Sequence, residues 1–404
     1  MRTVAEFLHH CVDVSAPLPP LDVSLDGAAG CVLAQAVHAN VDIPARDLAD
    51  GDGYAVFASD IAQASAENPI QLSVIDAVSA AAVNAGTLIP GGCVQVASGA
   101  PLPAGADAVV PIVFTDRGAA IVQIKRAVPA GSHVRHAGED TRAGMEILPA
   151  GVRLGARHLA LLAAEGQATA MVHPAPRVVI VAVGDELQEP GWQPQTGKVF
   201  DATSHALASA VRDAGGNVFR VGVVSDDKRV LRETLEDQLV RADIIITTGG
   251  LSYGGGDTVK EVLAGFGSVR FDSVAFWPGR QLGIGKMNDE AVVFCLPGNP
   301  VAALTAFEIF IRPALLHMAG YSQIYRRPIE AHMTAAWAGH SGLEDYVPVR
   351  VVGNPHAGYR ATPLIENDST LISALARANG LAVIEPSVGA VSVGDSVQCM
   401  ILDR

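Results

Sequence analysis

The chain has 404 residues, 49% of them hydrophobic and 17% charged, and 28 basic against 42 acidic side chains give a formal charge of −14. That length can build several separate cores, and an acidic chain without a basic tail excludes nucleic acid as its main partner. Any anionic ligand must therefore be held by local donors, because no general positive field attracts it.

Residues 1–20 carry acids, histidines and prolines where a signal peptide needs an apolar run, and no apolar stretch reaches membrane-spanning length. The expectation is a cytoplasmic protein without a transmembrane segment. The five cysteines (Cys11, Cys31, Cys93, Cys295, Cys399) form no C-x-x-C pair, which argues against a zinc ribbon or redox motif. Three lie in apolar contexts and read as small core residues in a reducing compartment. The twelve histidines form no H-x-x-x-H pair, and none is assigned to a metal.

In chain order, a helical pattern from Val4 to Val12 is followed over roughly 25–145 by short alternating or apolar runs between Gly and Pro clusters. Val94-Gln95-Val96, Ala108 to Val113 and Ala120 to Ile124 are such runs, and the segment reads as β-rich. A second helical pattern runs from Arg157 to Glu165. Residues 178–187 then form an apolar strand ending at Gly184 with Asp185 and Glu186. Helical periodicity follows in Ala206, Leu207, Ala210 and Val211, and again in Val230, Leu231, Leu235 and Leu239. Asp226 and Asp227 open that second helix, where acids suit the helix dipole whatever else they do.

The most informative stretch is 242–262. Ile244 to Ile246 lead into Gly249, Gly250, Ser252 and Gly254, then Asp257 and a helix start with Lys260 one turn in. A buried strand ending in a glycine loop is how α/β sheets bring backbone N–H groups to an anion. Asp257 can cap the helix or hold a cation. A third unit runs from Ala291 to Leu296 into Pro297-Gly298-Asn299-Pro300 and a helical pattern to Met318. Three such units, each with polar residues just past a strand's carboxyl end, predict a doubly wound α/β domain over 175–321 with its ligand crevice at that edge. Residues 322–404 read as another β series, with Tyr346 to Val352, Leu381 to Ile384 and Ser396 to Leu402 as strands of a small barrel or sandwich. No G-x-G-x-x-G follows the first strand of the α/β domain, so a simple dinucleotide-binding enzyme is set aside.

These motifs resemble the molybdopterin molybdotransferase family, of the MoeA and gephyrin E-domain type, over nearly the whole chain. Asp42-Ile43-Pro44 with Asp52-Gly53-Tyr54-Ala55 is similar to its D-x-P…M-D-G-Y-A stretch. Ser98-Gly99-Ala100-Pro101 with Pro103 and Gly105 to Val110 is similar to T-G-A-P-x-P-x-G-A-D-A-V-V, and Gly138-Glu139-Asp140 to G-E-D. Gly184-Asp185-Glu186-Leu187, Gly249-Gly250-Leu251-Ser252 with Asp257, and Leu296-Pro297-Gly298-Asn299-Pro300 complete the series.

The resemblance implies β-rich N-terminal regions, a MogA-like α/β domain and a C-terminal β-barrel. Its boundaries are 1–25 with 141–174 as an elongated dimerisation segment, then 26–140, 175–321 and 322–404. It implies a homodimer that inserts molybdate into adenylylated molybdopterin and releases AMP. Catalytic roles fall on Asp52, Asp140, Glu186, Asp226 and Asp257, with a magnesium ion on Asp226 and Asp257. Ligand contacts fall on Ser98, Gly249, Gly250, Ser252, Gly254, Lys260, Pro278, Gly279, Arg280, Pro297, Gly298, Asn299, Pro300, Arg350 and Ser369.

Several departures fall on groups that would touch an anion. The family's Lys-Pro-Gly-Lys-Pro string reads Trp277-Pro278-Gly279-Arg280-Gln281 here, so one lysine is an indole and the other an arginine. Ala49, Asp50 and Gly51 replace the serine, alanine and methionine before D-G-Y-A, and Val113 lies near the place of a family glutamate. Ala182-Val183 lacks a hydroxyl before G-D-E-L, and Pro348 stands where a Y-x-R pattern has arginine, with Arg350 two residues on. Each lost charge-assisted hydrogen bond costs about 1.5–3 kcal/mol. These losses motivate a second reading: a gephyrin-like dimeric scaffold holding a short peptide tail of a cytoskeletal, cell-division or membrane protein, with Trp277 as an exposed aromatic anchor. Ordinary core packing is the competing account of Trp277.

Overall fold

The computed structural model describes residues 1–251, 257–366 and 369–403. The chain forms two compact units: residues 1–34, 151–154 and 170–404 make one, and residues 35–150 and 155–169 the other.

The larger unit is organised by a six-stranded sheet. Its strand order is Asn217–Val224, Arg177–Val183, Ile244–Thr248, Ala291–Leu296, Gln281–Met287, Arg270–Ser273. The first four strands are mutually parallel, as the strand–turn–helix pattern predicts, and the last two join antiparallel. The antiparallel edge comes from a tight hairpin at Asn288-Asp289, where both residues take positive φ (50° and 59°). Asn and Asp are the residues that tolerate such a primed turn.

The parallel strands are apolar on both faces because helices cover both. Val179, Val181 and Val183 pack with Leu231, Leu235 and Val259 on one side. Val178 and Ile180 pack with Leu207, Val211, Phe307 and Phe310 on the other. Helices Thr203–Asp213 and Lys228–Leu239 follow the predicted periodicity. Against the expectation that no apolar stretch reaches membrane-spanning length, the run from Pro300 to Met318 is long and apolar enough to cross a membrane by length and composition, but 78% of its apolar window is buried in the protein.

The N-terminal helix Val4–Val14, closed by a capping box between Thr3 and Glu6, adds Phe7 to the same core. Phe7 meets Phe310 edge to face with ring centroids 5.0 Å apart. A three-stranded sheet of Leu21–Ser24, Thr169–His173 and Val32–Leu33 lies in the same unit.

Residues 329–401 close into a five-stranded barrel. Glu344–Asn354 pairs with Gly358–Pro363 on one side and Gly380–Ile384 on the other, and Ile329–Met333 and Ser396–Ile401 complete the ring. Val347, Val349 and Val351 fill its interior, so the intervening Pro348 and Arg350 belong to the outer face. Phe276–Trp277 adds a short parallel strand to Glu344–Asn354.

The smaller unit holds a five-stranded sheet, ordered Ala108–Pro111, Gly53–Val56, Gly92–Val96, Ile70–Val78, Ile121–Ile124. Its two faces carry separate apolar clusters, one around Tyr54, Val110 and Ile124 and one around Ala55, Val94 and Val109. Its helix Ala156–Ala164 ends at Glu165, whose buried carboxylate accepts from Thr141 Oγ1 (2.6 Å), Asn40 N (2.9 Å) and Val41 N (3.4 Å).

Four cysteines are buried and Cys31 is half-buried. Burial pushes the Cys295 and Cys93 thiols up to about 12 and Cys399 to about 11, and raises Cys11 and Cys31 as well. Since the thiolate is the reactive form, native protein at pH 8 treated with iodoacetamide should be alkylated first at Cys31. Peptide mass spectrometry checks this; early labelling of Cys295 would contradict the packing described.

Candidate active site

The first strand of the larger sheet, Arg177–Val183, sends the chain to one side through Asn217–Val224 and then to the other through Ile244–Thr248. The strand order therefore reverses between Arg177–Val183 and Ile244–Thr248, and open α/β sheets bind ligands past the carboxyl ends at such a reversal. Gly184 and Gly249 are the first residues beyond those two ends.

Close backbone approach shapes this edge. Gly249 has φ +90°, and a Cβ there would lie 2.2 Å from the Val183 carbonyl oxygen. A Cβ on Gly298 would lie 3.6 Å from the Gly249 Cα, so the glycine turns after two adjacent strands touch. The Gly249 amide donates to Leu296 O (3.2 Å), Thr248 Oγ1 to Pro297 O (3.2 Å), and Thr203 Oγ1 to Gly298 O (2.8 Å). These bonds correct one expectation: the Gly249 N–H is already committed to the lip and cannot cradle phosphate. The Gly250 amide makes no backbone hydrogen bond among the described residues. Ser252 and Gly254 lie outside the described residues.

Asn299 likewise has a local task. Its Oδ1 accepts from Val301 N (3.0 Å) and Ala302 N (3.1 Å), capping the helix that starts at Pro300, and its Nδ2 donates to Thr370 Oγ1 (3.1 Å). The neighbouring Ser369 hydroxyl donates to Glu366 O (2.8 Å). Both residues sit beside the Pro297-Gly298 turn or its cap, with their side chains engaged within the protein.

The carboxylates cluster at the ends of the first two strands. Asp226 Oδ2 accepts from Asp185 N (3.0 Å), while Asp185 Oδ1 accepts from Ser225 Oγ (2.8 Å) and Asp226 N (3.4 Å). Glu186 folds back over Gly184, where a Cβ would meet its carboxylate at 2.6 Å. Of the two acids before the Lys228–Leu239 helix, Asp227 is the cap, accepting from Arg229 N (2.9 Å) and Val230 N (3.0 Å). Those amides, Val230 first, hold the Asp227 carboxyl below the usual carboxylate range. Asp226 is thereby relieved of the capping role. Asp257 stands at the N-cap of the six-residue helix Thr258–Leu263 without a side-chain cap bond, and pairs with Lys260 instead.

Pro278, Gly279 and Arg280 reach the same lip. Gly279 has φ +95°, and a Cβ there would meet Ala302 Cβ at 3.0 Å and Pro297 Cγ at 3.5 Å. Arg280 is exposed, and its guanidinium makes no hydrogen bond or ion pair among the described residues. Arg350 is exposed on the barrel's outer face. Trp277 is not an exposed anchor: it stacks on His340 (centroids 5.0 Å, planes 18° apart) and leans on Trp337 (5.6 Å). The packing account of this residue holds, and it removes the structural motive for a peptide scaffold.

Asp52, Ser98 and Asp140 belong to the smaller unit. Asp52 Oδ1 accepts from Ser98 N (2.8 Å), joining two of the predicted motifs, and Asp140 is exposed with its amide donating to Ile43 O (2.9 Å).

One network escaped the sequence reading. Buried Asp201 accepts from Ser204 N (3.0 Å) and the Ser204 hydroxyl. Arg220 joins it by Nε to Ser204 Oγ (2.8 Å) and by NH2 to Glu189 (2.9 Å) and Asp201 (3.4 Å). Because neighbouring Thr203 bonds to Gly298, this network fixes one wall of the lip. An acid three residues before a serine at a helix start was the available signal.

The steric demand at Gly249 is testable. Gly249→Ala should destabilise the protein by about 2 kcal/mol or more. Gly191→Ala, also at positive φ (94°) but in open space, should cost less. Urea denaturation of both variants separates the clash from the backbone conformation alone.

Comparison with known proteins agrees with this arrangement along the whole chain. Residues 2–166 match the MoeA N-terminal region (domain I and II), residues 179–317 the family described as probable molybdopterin binding domain, and residues 330–402 the MoeA C-terminal region (domain IV). Molybdopterin molybdenumtransferase 1 of Mycobacterium tuberculosis is 33% identical over 100% of this chain and 99% of its own. Molybdopterin molybdenumtransferase 2 of the same organism is 36% identical over 98% and 99%. A molybdopterin biosynthesis MoeA protein from Pyrococcus horikosii superposes with a TM-score of 0.83 at 27% identity, covering 100% of this chain and 99% of that one. The chain belongs to the MoeA family.

Proposed function

We propose that this protein is a molybdopterin molybdenumtransferase of molybdenum cofactor biosynthesis, which transfers molybdate into adenylylated molybdopterin and releases AMP. One observation carries the reading: glycine turns and carboxylates lie past the carboxyl ends of four adjacent parallel strands, at the sheet's reversal point, in a chain whose relatives bear that name.

The substrate is a phosphate-linked anion, and this acidic chain must hold it with local donors. The Gly250 amide, the exposed Arg280 and Lys260 are candidates. Lys260 is already balanced by Asp257, so it offers a neutral pair instead of a net charge. Pro297, Gly298, Pro300 and Gly279 contribute shape. Their backbone turns keep side chains away from the crevice floor.

Magnesium is part of the proposal. Among the described residues no three His, Cys, Asp or Glu side chains converge into a ready-made cage. Magnesium suits that situation, since it takes one or two carboxylates and completes its shell from water and phosphate oxygens. The interlocked Asp185–Asp226 pair, with no basic side chain bonded to either carboxylate among the described residues, supplies hard oxygens of the right kind. Asp226 would hold the ion, with Asp257 beside Lys260 as the second ligand. When bound, the ion would neutralise charge on the phosphate oxygens. Glu186, exposed at the same edge, is the candidate to accept a proton during attack.

The proposal extends to Arg350 and Ser369, on or beside the barrel, as ligand contacts; the catalytic role of Asp52 and Asp140 and the ligand contact of Ser98, all in the smaller unit, rest on the family resemblance. A homodimer and a cytoplasmic location rest on the family resemblance.

Purified protein incubated with adenylylated molybdopterin, molybdate and magnesium should release AMP, detected by chromatography, and omission of molybdate should suppress release. Asp226→Asn and Glu186→Gln should each lower kcat about a hundredfold, the scale of losing one aimed charged group. Release at the level of a protein-free control, from folded protein, would refute the reading.

A further inference from the structure

Between strand Arg177–Val183 and helix Thr203–Asp213 the chain makes a strap over residues 187–200, and both of its ends are tied to the crevice edge. It leaves from Gly184, Asp185 and Glu186, the turn just past the strand end. It then returns alongside itself: Leu187 pairs with Val199 and Gln188 with Phe200, and Val199 N donates to Glu186 O (2.8 Å). Beyond it come buried Asp201 and Thr203, and the Thr203 hydroxyl donates to Gly298 O (2.8 Å).

Lys198 sits where the strap returns. Gly197, at φ +80°, closes a turn in which Lys198 N donates to Gln195 O (3.1 Å). From there the side chain reaches back across the strap, and its ammonium donates to the carbonyl oxygen of Asp185. An ammonium has three N–H donors, and this contact takes one of them. The residue is exposed. Lys228 pairs with Glu261 and Lys260 with Asp257, whereas Lys198 meets no carboxylate within ion-pair distance among the described residues.

The electrostatics of the turn give this cation a task. Asp185, Glu186 and Asp226 put their carboxylates around the strand ends, and Asp185 and Asp226 each accept from the other's backbone amide. A phosphate approaching this edge is repelled unless a positive charge stands beside the acids, and a chain with a formal charge of −14 supplies no general attraction. Lys198 holds such a charge against the backbone of the same turn.

We propose that Lys198 is a binding residue for a phosphate group of the anionic substrate, offsetting the acids of the strand-end turn. The inference rests on the reaction assigned above and adds a recognition group to the same crevice.

The probe is AMP, with calorimetry for affinity, and turnover of adenylylated molybdopterin supplies KM and kcat. Lys198→Gln keeps a donor for the Asp185 carbonyl but removes the charge. It should weaken AMP binding and raise KM about tenfold, the scale of one charge-assisted contact, with kcat within about twofold. Lys198→Arg restores the cation and should recover most of the lost affinity. Lys125→Gln, at an exposed lysine of the smaller unit, should bind AMP as the parent does. On unmutated protein, saturating AMP should slow acetylation of Lys198 by acetic anhydride, read by peptide mass spectrometry, while Lys125 is modified equally with and without AMP. Three results would overturn the inference and leave the enzyme reading standing: AMP binds but Lys198 is acetylated at the same rate, Lys198→Gln binds AMP as tightly as the parent, or Lys198→Arg loses as much affinity as Lys198→Gln. Absence of any heat with AMP on the parent also overturns it, and the release assay then decides the reaction separately.

Discussion

The structure depends on the contact of three strand ends at the carboxyl edge of the parallel sheet. Gly249 lies so close to Val183 that no side chain fits, its amide is bonded to Leu296 O, and Gly298 rests against it. Two strand-end turns are thereby fused into one rigid lip. The helix starting at Pro300 hangs from the same point through the Asn299 cap, and Thr203 ties in the helix on the neighbouring side. Because the lip is built from backbone and small residues, its shape tolerates wide change in the side chains around it.

That construction separates shape from charge. The lip needs glycine, proline and asparagine at fixed places for steric reasons. The charged side chains are set on surrounding segments: acids after the first two strands and Arg280 just before strand Gln281–Met287. In a chain with a formal charge of −14, each positive contact must be placed individually. Substituting a lysine by Trp277 then removes a charge without disturbing the fold, since the indole finds a partner in Trp337 and His340. Erosion of charged motifs beside preserved glycine motifs is what this division of labour permits.

Much of the architecture was legible in the residues. The strands were readable because helices on both faces make Val178 to Val183, Ile244 to Ile246 and Ala291 to Leu296 continuously apolar. The antiparallel edge was harder, since Gln281–Met287 alternates glycine with apolar residues, and its only local mark is the Asn288-Asp289 turn. Which site residues are free to act was not legible at all. Sequence put Asp226 and Asp227 on equal footing, and only the bonds from Arg229 and Val230 show that Asp227 caps the helix while Asp226 does not. Gly249 and Asn299 carry family-matching motifs, yet their polar groups are consumed in building the lip. The Arg220 arm of the Asp201 network was invisible because it lies 19 positions away and meets Asp201 only through folding.

Trp277 shows how a sequence departure gains meaning only in three dimensions. Compared with a lysine-bearing string, an indole reads as a lost charge, and a lost charge suggests weakened chemistry or a new surface role. In the fold the indole is flanked by two aromatic rings, and one of them is an imidazole bonded to a fully buried carboxylate. Burying Asp345 is unfavourable unless donors meet it, and Trp337 Nε1, His340 N and His340 Nδ1 supply them. The substitution and the dyad are thus parts of one arrangement. Taking away Trp277 would remove the face on which the imidazole lies, and taking away Asp345 would remove the acceptor that fixes the ring. Along the chain this position shows a lost charge, and in the fold it is filled by an indole packed against side chains 60 and 63 positions downstream.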